Sequence, residues 1–315
     1  MINLLSIKIK KDIIVKKSGE NDMYKLVAID LDGTLLNSYG QITEKSKNVI
    51  QKAVQKGVNV VLTSGRNAMS VQNLATEIGA DHYIICGNGA MVYDLQKKQM
   101  IYHQFLEKRK ILQLVRICEE NSIYYSVYTE NGIIAKSLNY NVLYYHQENS
   151  GKPDSKKTNI NIVQNIDAYI RERQEEDYIK MTICDDNQII FNRMIQNLKK
   201  VRDVDVLDVA HMSRKLIKLG TEVYEMEYFY TEISGQNVDK WNAIAHLMDL
   251  LSISADEVMA IGDNVNDKTM LQNAGLGVAM ENSAPYIKEF ADVVTLDNHS
   301  DGVAKAIEDY ILNAE

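Results

Sequence analysis

Asp30-Leu31-Asp32-Gly33-Thr34 follows the apolar run Leu26-Val27-Ala28-Ile29, and its reading organises the rest of the chain. A short apolar run closed by a glycine turn reads as a strand buried on both faces. Two carboxylates therefore stand one residue apart at the carboxyl end of a buried strand, the edge where open α/β sheets bind ligands. A carboxylate there can attack an anionic phosphoryl group if a cation offsets the repulsion, while its neighbour moves protons. Taken alone, the pair also fits an Asx-type turn that merely caps a strand.

Working outward, the segments on either side repeat the pattern. Thr43 caps a helix with Val49, Ile50, Ala53 and Val54 on one face and Gly57 at its end. Val58 to Leu62 is a second strand closing in Thr63-Ser64-Gly65-Arg66. After a helix bearing Val71, Leu74 and Ile78, Tyr83 to Cys86 is a third strand closing in Gly87-Asn88-Gly89-Ala90. Strands that each end in a small polar turn imply right-handed crossovers and a parallel sheet with its loops gathered at one edge.

The pattern changes after about residue 104. Helices over Glu107 to Asn121, Asp167 to Glu175 and Gln188 to Lys199 alternate with strands at Tyr178 to Cys184 and Val204 to Val209. Asn131-Gly132 marks a hairpin between Tyr124 to Tyr128 and Ile133 to Lys136. The polar stretch Gln147 to Lys157 reads as a surface loop. This is an antiparallel α+β pattern inserted between two α/β halves. The stretch from Lys215 to Tyr230 is long for a return to the core, and reads as an extended hairpin or a helix. The α/β pattern resumes with a helix over Val238 to Leu251, which carries Lys240 in its first turn. A lysine there opposes the helix dipole and suggests a bound anion. Val258 to Ile261 is a further strand, ending in Gly262-Asp263-Asn264-Val265-Asn266-Asp267.

Those five segments, in that order, resemble the haloacid dehalogenase superfamily, and the Gly-Asn-Gly-Ala turn followed by an insertion resembles its Cof-like branch with a B-type cap. The resemblance covers about residues 23 to 315. It implies an α/β fold, a parallel-sheet Rossmann-like core with an inserted α+β cap. The divisions expected are an extension at 1–22, core at 23–105, cap at 106–227 and core again at 228–315. It further implies a phosphatase in which Asp30 is the nucleophile and Asp32 the general acid and base. Ser64 would bind the phosphoryl oxygens where the family more often has threonine, and Thr63 stands one residue early. Lys240 would neutralise the phosphoryl charge, with Gly65, Arg66, Asn88 and Asn266 as further substrate or phosphate contacts. Asp30, Asp32 (through its carbonyl), Asp263 and Asp267 would hold or orient Mg²⁺, which prefers oxygen ligands and retained waters.

Composition bounds the partners. The 315 residues, 45% hydrophobic and 25% charged, suit a globular protein of about two domains. A formal charge of −8 argues against nucleic acid, which calls for a basic face. No run is long enough to span a membrane, and Met1 to Asp22 lacks a signal-peptide core. That segment reads as a dispensable extension or, through Ile7 to Ile9 or Ile13 to Val15, an added edge strand. Cys86, Cys118 and Cys184 lack metal spacing and read as reduced core thiols of a cytoplasmic protein. The tyrosines at 124, 125, 128, 140, 144 and 145 read chiefly as packing, with a substrate pocket as the alternative. The expected activity is Mg²⁺-dependent hydrolysis of a small phosphorylated metabolite, a sugar phosphate or a nucleotide-like cofactor phosphate. A phosphomutase is the near alternative and a non-catalytic ligand sensor the distant one. Neither the oligomeric state nor the substrate can be read from the sequence.

Overall fold

A computed structural model describes residues 24–313 except 152, 155, 156, 174, 175, 208–212, 220 and 221. The extension at 1–22 and its two possible strands lie outside the described residues. In chain order the first core half is β1 (Leu26–Asp30), α1 (Glu44–Gln55), β2 (Asn59–Thr63), α2 (Ala68–Ile78), β3 (Tyr83–Cys86), β4 (Met91–Asp94) and β5 (Gln99–His103). The insertion holds α3 (Lys108–Glu120), β6 (Tyr124–Thr129), β7 (Gly132–Ala135), α4 (Tyr140–Glu148), β8 (Ile160–Ile162), α5 (Ile166–Glu172), β9 (Tyr178–Asp185), α6 (Gln188–Leu198), β10 (Val204–Val206), β11 (Ser213–Leu219) and β12 (Glu222–Gly235). The second core half is α7 (Lys240–Leu251), β13 (Val258–Gly262), α8 (Lys268–Asn273), β14 (Leu276–Ala279), α9 (Pro285–Lys288), β15 (Val293–Val294) and α10 (Gly302–Ile307).

The core sheet runs β15-β14-β13-β1-β2-β3-β4-β5. β1 is central, and consecutive side chains leave it on opposite faces. Val27 and Ile29 join a cluster with residues of α1, α2 and α10, and Leu26 and Ala28 join one with residues of α7 and α8. Both faces are therefore covered, which is why the strand is apolar from Leu26 to Ile29, up to the aspartate that ends it. The chain leaves β1 toward β2, whereas β13 lies on its other side, so the carboxyl end of β1 is a switch point in the topology. The sheet is parallel only from β15 to β3. β4 and β5 add antiparallel at the edge through the turn after β3, which reverses the chain without a crossover helix.

The cap is a second sheet ordered β10-β12-β9-β6-β7-β8, with β11 pairing β12 as a projecting hairpin. One face packs Tyr125, Val127, Met181, Ile183 and Ile233 against α3, α5 and α6. By the alternation of strand side chains, the opposite face carries Ser126, Tyr128, Lys180, Thr182, Tyr230 and Glu232. α4 lies on that face, with Asn141 Nδ2 donating to the Tyr128 hydroxyl (2.7 Å) and to Thr182 Oγ1 (3.2 Å).

The long return segment is thus the β11–β12 hairpin. β12 stays in the cap sheet through Gly235, well past the division at 227/228 that the sequence suggests. The two strands of chain joining cap to core run side by side, as Gln104 Nε2 donating to the Gln236 carbonyl at 2.5 Å shows. α7 starts at Lys240 because Asp239 caps it, its side chain accepting from Asn242 N at 2.9 Å. The three cysteines are free and buried, and burial pushes each thiol up, leaving it unreactive.

Candidate active site

Three loops meet at the carboxyl end of β1. Asp30 ends that strand, in register with Thr63 at the end of β2, while Asp263 directly follows β13 on the other side. Lys240 reaches them from the first turn of α7. Its fully buried ammonium donates to Asp30 Oδ1 and, at 2.6 Å, to Asp267 Oδ1. Two glycines permit this convergence. A Cβ on Gly89, at φ +103, would stand 2.0 Å from the Asp239 carbonyl, so only glycine lets the turn after β3 press against the start of α7. A Cβ on Gly33, at φ +90, would stand 2.4 Å from Asp263 Oδ2, closing the space between the two aspartate loops.

The carboxylates are unequally engaged. Asp267 Oδ2 accepts from the amides of Asp263 (2.9 Å) and Asn264 (3.0 Å), so Asp267 is a brace that shapes the loop presenting Asp263. Asp263 Oδ1 accepts from the Thr34 hydroxyl at 2.7 Å. Among the described residues nothing donates to Asp30 Oδ2. Carboxylate oxygens of Asp30, Asp263 and Asp267 lie within 4.8 Å of one another. Burial first, and then Asp267, push Asp30 above the usual carboxylate range against the pull of Lys240. Burial, Asp30 and Asp267 push Asp263 up likewise. Burial would lower Lys240, but Asp267 and Asp30 overrule it and hold the ammonium charged.

Three carboxylates facing one ammonium make a hard, oxygen-rich and net negative donor set, which fits Mg²⁺. The carboxylates of Asp30 and Asp263 are the ones that would hold it, since Asp267 is already committed to Lys240 and to two backbone amides. The side chain of Asp32 is outside this cluster. It turns away, taking Nε of Arg66 on Oδ2 (2.7 Å) and Nη2 on Oδ1 (2.5 Å), a two-pronged ion pair. Burial would raise Asp32, but the Arg66 hydrogen bonds and charge prevail, aided by Lys215 on the cap hairpin, and hold it below its ordinary value. The expectation of Asp32 near the metal cluster therefore rests on its backbone alone.

The second loop separates the two candidate hydroxyls. Thr63 Oγ1 points into the core toward Met270 Sδ at 3.8 Å, whereas buried Ser64 accepts from Arg66 N at 3.2 Å in the turn itself. Asn88, left-handed at φ +58, does more than shape a turn: its amide bonds Asn266 on one side and Glu232 of the cap on the other. Gly65 packs against that amide. The structure thus brings together all ten residues singled out, with Asp32 and Arg66 forming a pair beside the carboxylate cluster.

Cap residues also border the site. A cavity between cap and core is walled by Arg66, Ser70, Tyr128, Tyr145, Glu148 and Lys180, among others. Sequence reasoning missed Lys180 and Glu232. A charged residue inside the apolar run from Tyr178 to Cys184 was the available sign, since a lone lysine on a strand face needs a partner.

A fold of this topology, with paired aspartates at the end of its central strand, defines the haloacid dehalogenase type of phosphatase. Residues 27–307 match the family of haloacid dehalogenase-like hydrolases, and the chain belongs to that family, in its Cof-like branch. It is similar to "Phosphatase YwpJ" of Bacillus subtilis, 29% identical over 291 residues, covering 89% of this chain and 97% of that protein. A second relative from B. subtilis, "5-amino-6-(5-phospho-D-ribitylamino)uracil phosphatase YcsE", is 26% identical over 288 residues, covering 91% of this chain and 96% of its own. Among solved structures, a haloacid dehalogenase-like hydrolase from B. subtilis superposes with a TM-score of 0.75 at 25% identity, covering 90% of this chain and 99% of that one. The chain is accordingly a phosphoric monoester hydrolase. No described helix is long and apolar enough to cross a membrane.

Proposed function

We propose that the protein hydrolyses the phosphate ester of a small metabolite through an aspartyl-phosphate on Asp30, with Mg²⁺ bound beside it. The observation that carries this reading is the buried Asp30–Lys240–Asp267 bridge next to Asp263, which leaves Asp30 Oδ2 free at a topological switch point. Lys240 holds Asp30 Oδ1, fixing the carboxylate so that Oδ2 can approach phosphorus in line with the leaving oxygen. Ser64 and the backbone of Gly65 face the transferring oxygens, together with Asn266. Asp32, swung from Arg66, gives a proton to the departing alcohol and then takes one from the attacking water. Asp30, Asp263 and the Asp32 carbonyl would hold Mg²⁺, which when bound would supply the positive charge that lets two anions approach.

The substrate we favour is a sugar or polyol phosphate, or a nucleotide-like compound bearing one, with the dephosphorylated alcohol as the leaving group. The named substrate of the B. subtilis relative combines a phosphorylated ribityl chain with a uracil ring, and the cavity here offers tyrosine faces beside charged groups. The test is phosphate release from a panel of phosphorylated metabolites with Mg²⁺ and with excess chelator. Several esters are expected to turn over, and chelator to stop all of them until Mg²⁺ is restored. Full activity in chelator would remove the metal from the proposal, and transfer to a second hydroxyl instead of water would make the protein a mutase.

A further inference from the structure

Core and cap are joined by one continuous polar chain. Asn266 Nδ2 donates to Asn88 Oδ1 (3.0 Å), and Asn88 Nδ2 donates to Glu232 Oε2 (2.6 Å). Glu232 Oε1 accepts from Lys180 Nζ (2.6 Å), which also donates to the Gly65 carbonyl (3.2 Å). The chain closes on itself, because Asn88 N donates to the Ser64 carbonyl at 2.9 Å. Glu232 and Lys180 come from adjacent cap strands, and the other four come from the loops after β2 (Ser64 and Gly65), β3 (Asn88) and β13 (Asn266).

The direction of these bonds is informative. An ionised carboxylate only accepts, so Glu232 compels Asn88 to turn its NH₂ toward the cap. The Asn88 oxygen is then the atom left facing Asn266, and it can only accept. Asn266 must therefore present its own NH₂ to Asn88 and aim its oxygen elsewhere. One cap carboxylate thus sets the orientation of two amides in sequence, the second beside Asp267 in the loop that presents Asp263. Without Glu232, either amide is free to flip. Lys180 is 5% exposed, and burying it with Glu232 is a poor route to stability, since an apolar pair of similar volume does as well or better. The ion pair is better explained by what its carboxylate orients.

We propose that Glu232, seated by Lys180, is a positioning residue: from the cap it fixes the amides of Asn88 and Asn266, so that the phosphate-facing loops are fully arranged only when the cap is docked. Its link to catalysis rests on the phosphatase reading above, whereas its effect on the amides does not. Acting on the phosphoryl side, it affects every ester alike, unlike a residue that recognises the leaving group.

Removing Glu232 alone strands a buried lysine and risks unfolding, so the comparison is between two double variants that both lack the ion pair. Lys180→Met with Glu232→Gln keeps an acceptor for Asn88, and Lys180→Met with Glu232→Leu does not. The leucine pair is expected to lose about 10- to 100-fold in kcat/KM, equally on p-nitrophenyl phosphate and on a metabolite ester, with inorganic phosphate in Mg²⁺ weakened by the same factor in calorimetry. The glutamine pair is expected to recover most of that loss. In ¹⁵N spectra of the full-length protein, the side-chain NH₂ signals of Asn88 and Asn266 should move in the leucine pair and hold in the glutamine pair. If they hold in both, the proposal fails whatever the protein hydrolyses. If they move but the two pairs have equal activity, or if only the metabolite ester suffers, the amides do not serve the phosphoryl site and the proposal is overturned.

Discussion

The core pocket and the inner face of the cap both bury charge, but with opposite balance. Among the described residues, Asp30, Asp263 and Asp267 at the end of β1 share the one ammonium of Lys240, whereas in the cap Lys180 faces Glu232 one to one. An unbalanced cluster held by hydrogen bonds calls for a cation or for chemistry, because desolvated like charges repel strongly. A balanced pair is complete in itself, and so is suited to docking and orientation. The contrast therefore separates the place where bonds change from the place that holds the geometry. It is open to direct attack.

The largest effect is expected at the unbalanced end. Asp30→Asn keeps an oxygen for Lys240 at nearly constant volume but removes the attacking charge, and should lower kcat by at least about a thousandfold while leaving thermal unfolding within a few degrees. Single-turnover phosphate release measures it. Activity within tenfold of the wild type would mean that another group attacks, and that the charge imbalance has some other use.

Next in size is removal of the balanced end. Residues 104–105 and 235–236 run side by side, so a short linker replacing 106–235 can close the core without strain. The capless core should lose discrimination among metabolite esters and keep roughly 1–10% of its activity on p-nitrophenyl phosphate, because the Asp30–Lys240–Asp267 bridge lies wholly outside the cap. Ile179 packs against the core near Gly87, so its loss will expose an apolar spot and lower stability. If a folded capless core ranks the esters as the intact protein does, recognition belongs to the core loops.

The two regions also differ in how far they could be read from sequence. The core site is local: each functional residue lies within a few positions of a strand end or helix start, so apolar runs and glycine turns announce it. Thr63 and Ser64 show the limit of that reading, since only the strand's actual pleat decides which hydroxyl enters the core. The cap's charged face is non-local. Lys180 and Glu232 are 52 residues apart and meet only because β9 and β12 pair antiparallel, and no short window contains that register. No sequence pattern announces α4, for a related reason. Its weakly amphipathic sequence of tyrosines and asparagines takes its helical form from packing on the sheet face. The end of the cap at Gly235 has no local mark, because β12 keeps its alternating pattern from Tyr230 to Gly235 while it pairs with β9 and β10 inside the cap sheet.

The smallest effect tests the residue that stands between the two regions. Arg66 pairs with Asp32 and lines the cavity under the cap, so Arg66→Met frees the proposed acid from its partner. The Arg66 hydrogen bonds and charge hold Asp32 below its ordinary value, so without them the carboxyl should titrate higher. An acid must be protonated to act, so the basic limb of kcat/KM for an alkyl phosphate should move to higher pH, with a change of about tenfold or less at any one pH. A p-nitrophenolate leaves without a proton, so the same limb on p-nitrophenyl phosphate should stay in place. Stability carries the opposite sign. A depressed carboxylate stabilises the fold above its unfolded value, and that contribution is lost as pH falls through the folded one. The variant should therefore be slightly less stable than the wild type at neutral pH, and equal to it in strong acid. With the Asp32 side chain 59% exposed, that difference is small. If the alkyl ester's basic limb stays fixed or moves down, Asp32 is not the acid. The Arg66–Asp32 pair would then be a contact that holds the loops after β1 and β2 together.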